Sequence, residues 1–347
     1  MSKMYSDPYF DKICSGSIEK LARLWGPINY QYVSLDNDSY KTKRDLLCTV
    51  NFGSYGKNEF QNKEQNHDER FWDTKIVRER LKEASYEDLI PAAYYSLAIT
   101  KTHYFLLYAF YHADDLTHPN DLEGCLIILQ KNLDKKPKIF GMVTIAHNEF
   151  VPYVMEGKKI PRHHPPWQKK FEIKFEEEED ADSVLIEQSK GKHALYSLGR
   201  NVGKFEYLGI RWHEIIGRPQ NVIVYYPGEK SNIHTKKRLY QGKDTPHNPT
   251  FYYELIDILD EKDGLYTKYK DSKKKENMTF TSEGAFHTAP DAIGQAKGPW
   301  LWKPNKKWFE EEIKGHIWED PAKLVAEMFE VESSFSTTYY KKMDEKI

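Results

Sequence analysis

The stretch "THYFLLYAFYH" (residues 102–112) decides the fold class. It has no glycine, no proline and no carboxylate or amine, and every residue from Tyr104 to Tyr111 is aromatic or aliphatic. A half-buried strand would show a polar residue at every second position, and a surface helix would show a polar face. A run apolar throughout reads as a central strand covered on both faces. Its wholly apolar part, "FLLYAFY" (105–111), is far too short to cross a bilayer. Working outward, "LEGCLIILQ" (122–130) is a second strand, "KNLDKKPK" (131–138) a polar turn with a proline, and "IFGMVTIAH" (139–147) a third strand. Apolar run, polar turn, apolar run is a hairpin signal.

The flanking chain repeats this pattern. "INYQYVSL" (28–35), "NVIVYYPG" (221–228) and "FYYELIDIL" (251–259) read as strands, although "LIDIL" fits a helix equally well. "FEIKFEEEEDADSVLIEQS" (171–189) reads as strand, acidic loop, strand, with the carboxylates as solvated surface. Two helices are expected. One is "TKIVRERLKEAS" (74–85), with Ile76, Val77 and Leu81 on its apolar side. The other is "DPAKLVAEMFEVESSF" (320–335), capped by Asp320, opened by Pro321 and lined by Leu324, Met328 and Val331. "KNEFQNKEQNHDERFWD" (57–73) and "YTKYKDSKKKENMTF" (266–280) read as loops. No glycine-rich phosphate loop follows any strand. The expected fold is a single antiparallel, jelly-roll-like β-sandwich over residues 1–347, with helical decorations at both ends.

Composition narrows the function. Tyrosine is abundant, 24 residues in a chain that is 14% aromatic, and its polar tip suits half-buried sheets. A formal net charge of −2 gives no footprint for nucleic acid. The three cysteines, Cys14, Cys48 and Cys125, match no zinc spacing. Cys125 lies inside a strand and reads as a buried thiol, and one bridge between the other two stays open. The opening residues show no basic start followed by an apolar core, so no signal peptide is expected.

Chemistry concentrates just before the second strand, in "THPNDLEGCLIILQ" (117–130). Asp121 and Glu123 alternate with Leu122, so both carboxylates share one face. If the hairpin centres on 131–138, paired residue numbers sum to about 269 or 270, which brings residues 146–147 opposite Glu123. His118, Asp121, Glu123 and His147 then gather at one end of the hairpin. Carboxylates with histidines suit zinc, manganese or iron, and carboxylates with water suit magnesium or calcium. His112, Asp114 and Asp115 precede the motif and are candidate additional ligands. The plain alternative is a solvated loop at a strand end.

The order of several short motifs resembles a bacterial and fungal group related to the vacuolar protein sorting-associated protein 62 family. The motifs are "WGPINYQYVSLDND", "THYFLLYAFYHADD", "HPNDLEG", "GKHALYS", "GPWLWKP" (298–304), "DPA" (320–322) and "FSTTY" (335–339). A more distant likeness is to the necrosis- and ethylene-inducing-like toxins, whose G-H-R-H-D-W-E heptapeptide serves a divalent cation site on a β-sandwich. That likeness implies acidic places for Asp121 and Glu123 and a histidine place for His118. This chain lacks the leading Gly-His-Arg and the Trp, so metal identity and target do not carry over. The family resemblance also draws His193 of "GKHALYS" to the site, as a ligand or general base. It implies secretion as well, without a visible signal.

Other candidates are weaker. "RHHPPW" (162–167) reads as a proline-stiffened loop, "WHE" (212–214) as a turn, and "LDND" (35–38) as an incomplete calcium loop. Trp300 and Trp302 offer a stacking platform for a sugar or lipid head group, against core packing for at least one of them. No G-x-S-x-G serine and no paired cysteine is present, so a covalent nucleophile is not expected. The leading expectation is a binding or toxin-like module holding a divalent ion (calcium, magnesium, manganese or zinc) for a glycan or lipid head group. A metal-dependent hydrolase and a metal-free structural sandwich are the alternatives.

Overall fold

The computed structural model describes residues 7–35, 39–50, 52, 74–116, 119–132, 135–146, 149–199, 206–207, 210–211, 221–241, 248–269, 298–302 and 316–346. Within these the chain is mainly β. The strands are β1 (Ile28–Tyr32), β2 (Ala92–Thr100), β3 (His103–Asp114), β4 (Pro119–Gln130), β5 (Lys138–Ala146), β6 (Glu149–Val154), β7 (Lys174–Glu177), β8 (Asp182–Gln188), β9 (Leu195–Ser197), β10 (Glu206–Tyr207), β11 (Ile210–Arg211), β12 (Val222–Pro227), β13 (Thr250–Asp257) and β14 (Tyr339–Lys341). Short helices flank them: α1 (Pro8–Lys12), α2 (Ile18–Leu24), α3 (Ser39–Arg44), α4 (Thr74–Glu83), α5 (Lys236–Gln241), α6 (Leu265–Tyr269) and α7 (Pro321–Met328).

Twelve strands form one sheet, in the order β6-β5-β4-β3-β2-β13-β12-β1-β8-β7, with β14 added to β2 and β9 to β8. From β2 to β6 it is a consecutive antiparallel meander. Elsewhere the sheet is mixed, because β1 with β8, β12 with β13, and β13 with β2 pair in parallel. The expectation of a wholly antiparallel jelly roll therefore does not describe this sheet. Strand β13 is the hinge of the architecture: Thr250–Tyr253 pair with β12 and Glu254–Asp257 pair with β2. The "LIDIL" ambiguity resolves here, since its first three residues are strand. Beyond that hinge the sheet returns over itself, and β9 packs against β5 and β4. A parallel bridge between Val154, at the end of β6, and Glu172, just before β7, brings the two edges together.

All twelve residues of β3 are buried. On one face Tyr108 donates to the Ala22 carbonyl of α2 (2.7 Å), and Tyr104 donates to Asp7 at the cap of α1. On the other, Phe105 meets Phe335 edge-on at 6.4 Å. Burial on both faces is why this strand can be apolar at every position. The hairpin register follows the turn centre, with Cys125 opposite Thr144 and Ile128 opposite Gly141, and slips by one between Ile128 and Leu129. Cys14, Cys48 and Cys125 are all free and buried, and burial raises each thiol's pKa.

Helix α7 begins where its cap residues dictate. Asp320 accepts from Lys323 N (3.1 Å) and also from the Tyr339 hydroxyl (2.8 Å). The helix stops at Met328, well short of the apolar periodicity, because Phe329 turns extended and its ring seats against Gly141 and Phe140 of β5. Losing the Asp320 cap in Asp320→Ala is expected to cost about 1–2 kcal/mol, read as a lower urea midpoint at unchanged slope.

Candidate functional site

The polar residues singled out in the sequence meet, in part, on the inner face of β3 and β4 near the mouth of that pair. Register sets His112 of β3 opposite Asp121 of β4, and Phe110 opposite Glu123. Alternation then puts His112, Asp121 and Glu123 on one face. Their exposures are 0%, 2% and 2%, so the loop-end reading as a solvated patch does not hold for these three.

The loop from Ser189 to Ala194 delivers His193 to this face. It is closed by His193 N to Ser189 O and Ser189 N to Ala194 O, both 3.0 Å, and tied to the end of β3 by Leu116 N to Gly191 O at 2.9 Å. Gly191 has φ +75°, which a side chain would strain, and His193 itself sits at φ 52°. A histidine in the left-handed region is uncommon and persists where its surroundings over-determine it. They do so here. His193 Nδ1–H donates to Asp121 Oδ2 at 2.9 Å, and Nε2 lies 3.7 Å from Asp45 Oδ1, an ion-pair distance longer than a hydrogen bond. Its ring stacks on His112 at 3.9 Å and 8°.

Charge follows from this geometry. Burial alone would lower the His193 pKa, but the two carboxylates outweigh it and raise the group to about 9, so it is an imidazolium at neutral pH. His112 goes the other way. Burial and the neighbouring His193 charge hold its pKa well below the usual value, so it is neutral. The Leu46 carbonyl, 3.1 Å from Nδ1, can only accept, which fixes that nitrogen as the donor. Asp45 is fully buried, yet its pKa is lowered, because His193 and Arg44 overcome the desolvation. It accepts from Ser34 N (2.7 Å), Gly191 N (3.1 Å) and Arg44 Nε (3.1 Å).

The other acidic candidates at the end of β3 are paired within the fold. Asp114 takes Arg78 Nε (2.9 Å) and the Tyr40 hydroxyl, and Asp115 takes Lys192 Nζ (3.1 Å). Asn120, at φ 57°, accepts from Tyr111. His118 and His147 lie outside the described residues, as do the carboxylates of Asp36 and Asp38 and the "WHE" segment. Among the described residues no group of three or more His, Cys, Asp or Glu side chains is arranged to hold a metal. Asp121 and Glu123 share one face of β4, and His193 is the partner of Asp121 there, with both of its nitrogens facing carboxylates.

Trp300 and Trp302 are buried, at 9% and 2% exposure. Trp300 packs edge-on against Tyr266 (5.2 Å) and Trp318 (6.2 Å). Trp302 lies over Gly124 of β4. An open stacking platform needs an exposed ring face, so burial fits the core-packing alternative for both. Sequence reasoning missed Asp45. Its only local mark is a place after Lys43 and Arg44 and before an apolar run, which is too common to signal a role.

No family model matches the chain. None of the curated proteins compared with it matches. Two solved structures align with part of it. One is a non-toxic HaNLP3 protein, at 19% identity and TM-score 0.22 over 31% of this chain and 46% of that one. The other is Necrosis and Ethylene inducing Protein 2 from the causal agent of cocoa's Witches Broom disease, at 20% identity and TM-score 0.21 over 31% of this chain and 45% of that one. The aligned part is less than half of either chain, and TM-scores this low carry no inference about fold or activity. The vacuolar protein sorting-associated protein 62 resemblance has no counterpart among these matches.

Proposed function

We propose that this chain is a binding module that takes a divalent cation at the mouth of β4 and uses it to present a surface to a glycan or lipid head group. The supporting observation is the placement of Asp121 and Glu123. Both are buried on one face of one strand, and Asp121 is oriented from behind by the His193 imidazolium, which Asp45 holds in turn. Carboxylate ligands are commonly fixed by such outer partners, and removing the partner weakens metal binding. His118 is the neighbouring candidate from sequence. When bound, a cation would supply positive charge between the two carboxylates and open positions for ligand oxygens. A hydrolase reading needs a proton acceptor beside the ion, and His193, already protonated, is a poor one.

The test is metal content by elemental mass spectrometry together with thermal shift in calcium, magnesium, manganese and zinc. Near-stoichiometric metal, or stabilisation approaching about 2.7 kcal/mol at a hundredfold excess over Kd, is expected for the wild-type chain. Glu123→Gln should abolish either signal while leaving the His193–Asp121 bond in place. Equal shifts in the variant and the wild type, or none with any of the four ions, would remove the cation from this reading.

A further inference from the structure

A second site lies at the seam where the sheet closes on itself. There the end of β6 is held to the chain before β7 by Val154 N to Phe171 O (2.6 Å) and Ile173 N to Val154 O (2.9 Å). Beyond that short contact the two edges part. The opening is a cleft of about 490 Å³ between residues 153–160, residues 169–174 and the end of β9. Tyr153, Met155 and Phe171 give it an apolar floor. Lys158, Lys169, Lys170 and Lys174 stand on its rim.

The basic charge is local to the cleft. Residues 156–174 carry six cationic side chains, Lys158, Lys159, Arg162, Lys169, Lys170 and Lys174, against two carboxylates, Glu156 and Glu172, whereas the exposed acidic run Glu176–Asp180 that follows along β7 lies outside the cleft lining, toward Lys136. Internal pairing uses only some of the cations. Lys159 pairs with Glu330 (2.7 Å), Lys174 pairs with Glu172 (3.0 Å), Lys170 donates to the Gly199 carbonyl (2.8 Å) and Lys169 donates a long bond to the Pro166 carbonyl (3.5 Å). Beside them Ile160 is 58% exposed, the highest among the large hydrophobic residues exposed in the described chain. It sits between Lys159 and Arg162, separated from Arg162 only by buried Pro161, and the backbone of Arg162 is anchored by its N–H to Met328 O at 2.8 Å.

An exposed aliphatic tip flanked by long cationic side chains, next to an apolar cleft, is what an anionic bilayer surface accepts. The aliphatic side chain enters the head-group boundary, the lysine stems lie along it and the ammonium groups meet lipid phosphates and carboxylates. We infer that the seam between β6 and β7, with Ile160 at its tip, docks on a membrane surface rich in anionic phospholipid. This does not depend on the cation at the β4 mouth, and the two readings fail separately.

The experiment is co-sedimentation of the whole chain, in the presence of a chelator, with vesicles of phosphatidylcholine alone and of phosphatidylcholine mixed with phosphatidylserine. Binding is expected only to the mixed vesicles, and it should disappear as salt is raised to about 1 M, where the screening length falls to roughly 3 Å. Each cation near such a surface contributes about fivefold, so Lys158→Glu with Lys169→Glu should weaken binding by at least roughly 30-fold. Ile160→Ser should weaken it at constant charge, and both variants should melt like the wild type because the altered side chains are exposed. Equal binding to both vesicle types, binding unchanged in the two variants, or no sedimentation with either vesicle would overturn the inference. So would equal affinity for soluble poly-glutamate, which would mark the patch as a general anion surface.

Discussion

Replacing His193 with leucine is expected to lower the unfolding free energy by about 3–5 kcal/mol, the cost of leaving buried charge without its partner. The side chain is fully buried between Asp121 and Asp45, 2.9 and 3.7 Å from their oxygens. Leucine fills the volume but leaves Asp121 without its donor and Asp45 with only Arg44 and backbone N–H groups. The stacked neighbour His112 adds nothing in compensation, because it is neutral. The same ionisation gives a pH signature. The folded pKa is about 9 against an unfolded value of 6.5, so the raised state binds its proton more tightly. The stabilisation is therefore fully present below the unfolded pKa, declines as pH rises from there, and is gone above the folded one. It amounts to about 3 kcal/mol by linkage. Lys341 titrates in the neighbouring range with the opposite sign. Burial lowers its pKa to about 8, so the cost of its buried charge is relieved as pH rises. The difference between the wild type and His193→Leu cancels that contribution. Urea unfolding of both proteins across this window measures it directly. A variant loss under about 1 kcal/mol, the range of an exposed pair, with parallel pH profiles, would show that no imidazolium bridge forms.

That bridge also marks where sequence reading stops. The strand core was legible because β3 is apolar on both faces and rich in aromatic residues, which favour a strand over a buried helix of the same length. The hairpin register was legible because a turn centre and strict alternation leave little freedom, and the one-residue slip at Ile128 and Leu129 falls beyond the residues that matter for the site. Strand β2, "AAYYSLAIT" (92–100), was not recognised, since its small residues carry little β signal and its burial comes from neighbours on both sides. Parallel pairs such as Ile28 with Leu185 join segments whose contact no local pattern encodes. At the site, the shared face of Asp121 and Glu123 follows from period two alone. The approach of His193 depends on a left-handed loop, and that of Asp45 on the chain following α3. Both are long-range facts of packing. For His193 the resemblance stood in for the missing physical signal, and for Asp45 nothing did.

The glycine in "DLEG" supports the second large effect. Gly124 is not in a turn; it sits mid-strand in β4 opposite Ala109, where a Cβ would collide with the Tyr108 carbonyl oxygen and approach the Trp302 ring to 2.6 Å. Trp302, 2% exposed, therefore rests on a strand that has been thinned to receive it. Truncating it in Trp302→Ala is expected to cost about 3–5 kcal/mol, from lost burial and from the cavity left over β4. Gly124→Ala should cost about 1–3 kcal/mol or more by overpacking, because a carbonyl in a paired strand cannot retreat. The two effects are coupled only in part. In the Trp302→Ala background the indole clash is gone and the Tyr108 clash remains, so Gly124→Ala should cost less there but still destabilise. A double-mutant cycle by chemical unfolding reads this coupling. The opposite pattern, with Trp302→Ala leaving stability unchanged and abolishing glycan or lipid binding, would return the tryptophan to the role of a stacking platform. The burial of Trp302 and the clash at Gly124 make the first pattern the expected one. They also give Trp302 the role of packing on β4 from the face opposite Asp121 and Glu123.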